Sequence, residues 1–251
     1  MKKDNIKPGE FFIKEGSPVK MPKPKGKPEL EFGNDLISIY TAFRNKVYYP
    51  KSVLYPSCGF DASPSRVFSN VIFVDSENGN KGCIEALQKE GLNAIKQNIR
   101  DYIPKQHHDL LILLNPVIYH ESATRHLSSG GWIIANDYHH TASDMYKDNN
   151  FLLWGGIDFI EKDGRKEDFR VKISKNIGGF FQPVRDMEEF RKLRPKAYNL
   201  IKKIAESLMK QSLLKVDESA SLDEMFYEYR KYMEAEMPSK RVADRYIFIK
   251  K

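Results

Sequence analysis

The chain has 251 residues, 41% of them hydrophobic, and a net charge of +7 from 41 Lys and Arg against 34 Asp and Glu. That length suits one large α/β domain with additions or two small domains, and no apolar run approaches the roughly 20 residues of a membrane span. Two cysteines, Cys58 and Cys83, make neither a disulfide framework nor a zinc site by themselves, and the Lys- and Pro-rich N-terminus lacks the apolar core of a signal peptide, so a cytoplasmic protein is expected.

The charge is unevenly placed. Residues 1–30 hold eight Lys against four acids, 31–161 hold 11 basic residues against 15 acidic ones, and 162–251 hold 22 against 15. An acidic centre thus lies between basic flanks, which either hold a polyanion or simply keep the surface solvated. Residues 1–30, with five prolines and no periodicity, read as an extended basic arm, and 31–251 as an α/β domain.

In chain order, a helix is expected over 34–46, with Leu36, Ile37, Tyr40 and Phe43 on one face. Two short apolar runs follow, Ser52-Val53-Leu54-Tyr55 and Asn70-Val71-Ile72-Phe73-Val74, joined by a loop containing Pro56, Gly59, Asp61 and Pro64. The second run ends on Asp75. A strand, a tight turn, a short helix and a second strand ending in a carboxylate form the nucleotide-binding half of a doubly wound sheet, where the carboxylate can take both hydroxyls of a ribose. A helix over about 81–90 stops at Gly91, and 93–99 reads as a third strand.

His108 to Leu114, HDLLILL, is a continuous apolar run of the kind buried on both faces, ended by Asn115-Pro116. A helix over about 117–127 leads to the turn Ser129-Gly130-Gly131 and a fifth strand, Trp132-Ile133-Ile134-Ala135. Beyond a short helix at 141–147 come strands at 151–161 and 168–174, with Asp163-Gly164 as the turn. Helices follow at about 194–214 and from the capping box Ser221-x-x-Glu224, together a helical addition over about 180–240. Arg245 to Lys250 forms a last strand. The fold class expected is α/β, a doubly wound, mainly parallel sheet with helices on both faces.

Residues 34–161 and the last strand resemble the class I S-adenosylmethionine-dependent methyltransferases. The resemblance implies S-adenosylmethionine as cofactor, held by Tyr55, Pro56, Ser57, Gly59 and Asp61 in the loop after the first strand and by Asp75 and Ser76 after the second. It also implies Asn98 and Ile99 at the adenine and Asn115 near the methyl. The loop departs from the family's GxGxG: only Gly59 is kept, with Ser57 and Asp61 at the flanking places. A narrower likeness joins Pro56-Ser57-Cys58-Gly59 and Asn115-Pro116-Val117-Ile118-Tyr119 to amino-methyltransferases that act on nucleobases. By that likeness Asn115 accepts from the target amine and Tyr119 stacks on the acceptor.

Of six histidines, His139 and His140 lie past the fifth strand with Asp137 and Tyr138, a segment suited to supplying a general base. No HxH or HxxxH-plus-acid pattern marks a metal site. The function expected is methyl transfer to a small molecule, with the helices near 195–236 as a lid. The alternatives are an inactive methyltransferase-like scaffold and a nucleic-acid amino-methyltransferase with the basic flanks around its pocket. The absence of GxGxxG disfavours a nicotinamide-dependent dehydrogenase. Neither the identity of the acceptor nor an oligomeric state is written in the sequence.

Overall fold

The run HDLLILL becomes β4 (His108–Leu113), whose residues Leu110 to Leu113 are completely buried. Such a strand has no polar face to offer water, so it sits in the middle of a covered sheet. In the computed structural model that sheet has eight strands: β1 (Val53–Pro56), β2 (Val71–Asp75), β3 (Asn93–Lys96), β4, β5 (Leu127–Ala135), β6 (Phe151–Lys162), β7 (Arg165–Ser174) and β8 (Arg245–Lys250). The structure describes residues 29–78, 80–114, 116, 118–162, 165–210, 224 and 238–251. They fall into two compact units, one running to Ile177 and including Ala243–Lys251, the other within Gly178–Val242.

The strand order is β3-β2-β1-β4-β5-β8-β6-β7. The first five are parallel, while β8 runs antiparallel to both β5 and β6, and β6 and β7 form an antiparallel pair. Successive connections leave β1 and β4 in opposite directions. Open α/β sheets bind ligands at such a switch point, outside the carboxyl ends of the strands.

Helices α1 (Asn34–Lys46) and α4 (Thr141–Lys147) occupy the spans their patterns predict. The apolar face of α1 buries Ile39, Tyr40 and Phe43 in the core of the first unit. Helix α2 (Cys83–Lys89) is shorter than expected by a turn's fraction at each end. The connection between β1 and β2 holds a single 3-10 turn, Ser63–Arg66.

Three elements differ from expectation. Ser129-Gly130-Gly131 is not a turn before the fifth strand but part of it: β5 pairs Leu127 with His108 and then Trp132 with Leu110. The intervening residues bulge out, which Gly130 permits with φ +74°. A side chain at Gly131 would meet Leu127 and the Ser128 carbonyl at under 3 Å. Helix α3 (His120–Thr124) spans five residues rather than eleven, because the chain turns through His126 N–H to Ala123 O and enters β5 at once. The third strand stops at Lys96, where Asn98 O accepts from Asp101 and Tyr102 N–H and curls the chain away.

In the second unit, α5 (Met187–Leu193) was not foreseen. Asp186 accepts from Glu189 N–H as its N-cap, and Glu189 reaches back to the N–H of Arg185, the residue before the cap. Helix α6 (Pro195–Lys210) follows. The arm expected at 1–30 up to residue 28, the Asp163-Gly164 turn, the rest of the 194–214 helix and nearly all of the helix expected after Ser221 lie outside the described residues. No helix among the described residues is long and apolar enough to cross a membrane.

Candidate functional site

The loop after β1 begins where Pro56 pairs with Val74 and Ser57 N–H donates to Val74 O at 2.8 Å. Ser57 has φ +52° and Gly59 φ +55°. Both places therefore keep the left-handed backbone that glycine normally supplies, and at Ser57 a residue with a Cβ bears the cost, about 1 kcal/mol or more. Gly59 N–H donates to Asp75 Oδ2 at 3.1 Å. The position a Gly59 Cβ would take lies 3.0 Å from Asn80 Nδ2, so the loop after β2 closes over this glycine.

Tyr55 and Asp61 use their polar groups inside the loop. Asp61 accepts from Tyr55 Oη at 3.0 Å, from Ser63 N–H at 2.9 Å and from Ser63 Oγ at 2.5 Å. Gly33 N–H donates in turn to Ser63 Oγ. Burial raises the Asp61 carboxyl above its ordinary pKa even against these bonds. Cys58 is buried and its thiol pushed far up by desolvation, which suits packing rather than nucleophilic work.

Asp75 ends β2 with 7% of its surface exposed. Its Oδ2 takes Gly59 N–H and its Oδ1 takes Glu77 N–H at 2.6 Å. An ionised carboxylate has about four acceptor sites, so two remain. Ser76, at the rim, lines a cleft of about 470 Å³ with Glu77, Lys81 and Lys96. Glu77 and Asn80 were not singled out by sequence; an acid and an amide in a turn read as solvated residues, and only the folded loop sets them against Asp75 and Gly59.

Past β3, Asn98 is exposed and its Oδ1 accepts from Arg100 N–H at 3.0 Å. Ile99 is buried, with its carbonyl oxygen 3.1 Å from His126 Nε2. Among the described residues no acceptor is found for the Ile99 N–H.

Beyond β4, Asn115 lies outside the described residues, and Tyr119, just before α3, is 73% exposed. Beyond β5, Asn136 is buried and its N–H donates to Leu113 O. Asp137 accepts from Ser143 N–H at 2.7 Å and Ser143 Oγ at 2.6 Å, so its carboxylate caps α4. Burial raises the Asp137 carboxyl. The rings of Tyr138 and His139 meet edge to face at 4.7 Å, and His140 is exposed with φ +60°. Because β1, β2, β4 and β5 are parallel, Gly59, Asp75, Tyr119 and 136–140 all follow strand carboxyl ends and share one edge of the sheet. His108 belongs to the opposite edge. Its Nδ1 lies 2.7 Å from Ser52 Oγ, and burial pushes its pKa down to about 4.

No family model matches the chain, and no curated protein matches it. Among solved structures it is similar to an S-adenosylmethionine-dependent methyltransferase from Thermotoga maritima, 13% identical over 56% of this chain and 83% of that one, with a TM-score of 0.41. It is also similar to the N-methyltransferase NodS from Bradyrhizobium japonicum in complex with S-adenosylhomocysteine, 12% identical over 53% of this chain and 78% of that one, with a TM-score of 0.35. Likeness at this level carries no argument about activity. The sheet speaks for itself: four parallel pairings spread from β1 and β4, the central strands are buried on both faces, and the second strand ends on an acid beside the loop of the first. The chain has a doubly wound α/β fold with a mainly parallel sheet.

Proposed function

We propose that the chain is an S-adenosylmethionine-dependent methyltransferase acting on a small molecule. The observation that carries this reading is Asp75: a buried carboxylate at the tip of β2, oriented by two backbone amides, with lone pairs left for a ribose. The left-handed Ser57 and Gly59 support it, since they turn the loop back over the strand ends despite the missing glycines. The Ile99 N–H and the exposed Asn98 fit the edge of an adenine.

When bound, the cofactor supplies an electrophilic methyl carbon on a sulfonium. The chain's part is to hold it in line with the acceptor and keep water out. In this reading Tyr119, Pro116 and the Tyr138–His139 ring pair flank the acceptor. His139 or His140 takes the acceptor proton where the nucleophile must lose one. The stretches 115–124 and 136–146 contain no Lys or Arg but do contain Glu121, Asp137 and Asp144. These two stretches supply a nucleic-acid acceptor's phosphates with no cation of their own, which favours a small acceptor carrying an amine or hydroxyl.

Calorimetry of the purified chain with S-adenosylmethionine, S-adenosylhomocysteine and NAD tests the reading. Binding of the first two and not the third is expected. No binding of either sulfur compound overturns the reading, and tight, salt-sensitive binding of mixed RNA or DNA in a gel shift overturns the small acceptor.

A further inference from the structure

Glu77 has a conformation that its position in a turn does not require. It has φ +59° without being glycine, asparagine or aspartate. A left-handed backbone at such a residue costs about 1–2 kcal/mol and persists only where surrounding contacts hold it. Those contacts are present. Only 9% of Glu77 is exposed. Its Oε1 accepts from Ile84 N–H, in the first turn of α2, at 3.1 Å. Its Oε2 lies 2.5 Å from Lys96 Nζ, and Lys96 is the residue of β3 in register with Asp75. The Lys96 bond holds the Glu77 carboxyl below its ordinary pKa, so the pair is ionised.

The backbone N–H of Glu77, in the peptide that joins it to Ser76, donates to Asp75 Oδ1 at 2.6 Å. Asp75 is then held from two sides, by Gly59 N–H on one oxygen and by Glu77 N–H on the other. A carboxylate fixed in this way has its remaining lone pairs aimed in one direction before any ligand arrives. Orienting it in advance removes that ordering cost from binding.

We infer that Glu77 is the positioning residue of the Asp75 site: its side chain, anchored to α2 and Lys96, holds in place the backbone amide that orients Asp75 toward ribose hydroxyls. The inference rests on the methyltransferase reading and adds a residue to it. The Glu77–Lys96 pair joins β2, β3 and α2 at the rim of the cleft, and Lys96 is exposed, so replacing it leaves the core intact.

The test uses the full chain with two probes, S-adenosylhomocysteine and its 2′,3′-dideoxy analogue. Wild type binds the first more tightly by about 10-fold or more, the worth of hydrogen bonds to a charged group. Glu77→Gln keeps the side-chain shape but not the charge. It weakens S-adenosylhomocysteine by about 5- to 20-fold, leaves the dideoxy analogue within about 2-fold, and speeds hydrogen exchange at the Glu77 and Gly59 amides. Lys96→Met acts in the same direction, and the double variant is no weaker than Glu77→Gln alone. General loosening of the fold would weaken both probes equally, and that result overturns the inference, as does unchanged discrimination in both single variants. A wild-type chain that binds neither probe overturns the methyltransferase reading and the inference with it. A wild type that discriminates, with Glu77→Gln discriminating equally, overturns the inference alone.

Discussion

Replacing Asp75 by alanine removes an acceptor from two backbone amides at once. Gly59 N–H at 3.1 Å and Glu77 N–H at 2.6 Å both end on this carboxylate, and Asp75 is 7% exposed, so water reaches the vacated space poorly. Each buried donor left without a partner costs about 1–3 kcal/mol, and two of them give about 2–4 kcal/mol once some relaxation is allowed. For a chain of this size that lowers the thermal midpoint by roughly 5–15 °C. The ligand loses its own hydrogen bonds separately, a further 1–3 kcal/mol or so in S-adenosylhomocysteine affinity. Asp75→Asn separates the two effects. It keeps one acceptor oxygen, but its NH₂ must face one of the two amide donors, so it falls between wild type and alanine in stability while still losing ribose affinity. Urea denaturation gives the first quantity and calorimetry the second. An Asp75→Ala protein with the wild-type midpoint and wild-type affinity refutes both the geometry and the role argued from it.

Three more perturbations have opposite or pH-dependent signs. Ser57→Gly removes left-handed strain of about 1–2 kcal/mol and adds about 0.5–1 kcal/mol of unfolded-state entropy, so urea titration should show a net gain of roughly 0.5 kcal/mol. Gly59→Ala imposes the same strain and crowds Asn80 at 3.0 Å, so it should lose about 1–2 kcal/mol; equal effects from both variants would contradict the backbone described. His108, whose pKa burial lowers from 6.5 to about 4, is neutral in the native protein, whereas the unfolded chain takes up a proton as pH falls through 6.5. Stability should therefore drop by about 2 kcal/mol between pH 6.5 and 4 after allowance for solvent screening, and His108→Gln should flatten that part of the profile. A variant with the wild-type slope would place the acid sensitivity elsewhere.

The frame of the sheet was legible because it rests on long-standing contrasts in the chain. HDLLILL has no polar face, the α1 stripe repeats at helical spacing, and VIFVD ends abruptly on an acid. The loop after β1 was legible only in part. Its missing glycines are visible, but φ at Ser57 is set by Val74 O, Pro56 and the strand register, none of which a residue name reveals. Glu77 was hidden for a similar reason: its partners Ile84 and Lys96 are 7 and 19 positions away and meet only when α2 and β3 have folded. The Gly130-Gly131 bulge imitates a turn because both need the same residue. Helix α5 was overlooked although Asp186-x-x-Glu189 marks its start, since seven residues give too few turns for periodicity to show.

The placement of β8 governs how this sheet can be assembled. Residues 245–250 lie between β5 and β6, pairing Ile133 with Phe248 on one side and Leu153 with Phe248 on the other. While the chain is being synthesised, β5 and β6 cannot reach their seats against it until residues 245–250 have emerged from the ribosome. Until then two apolar strands present open edges, the kind of surface that recruits other chains. The β3-β2-β1-β4-β5 half can form early, but the sheet closes late, by insertion of a strand into its middle rather than by addition at its rim. A chaperone that shields nascent strands would therefore act on the interval between the emergence of β6 and that of β8.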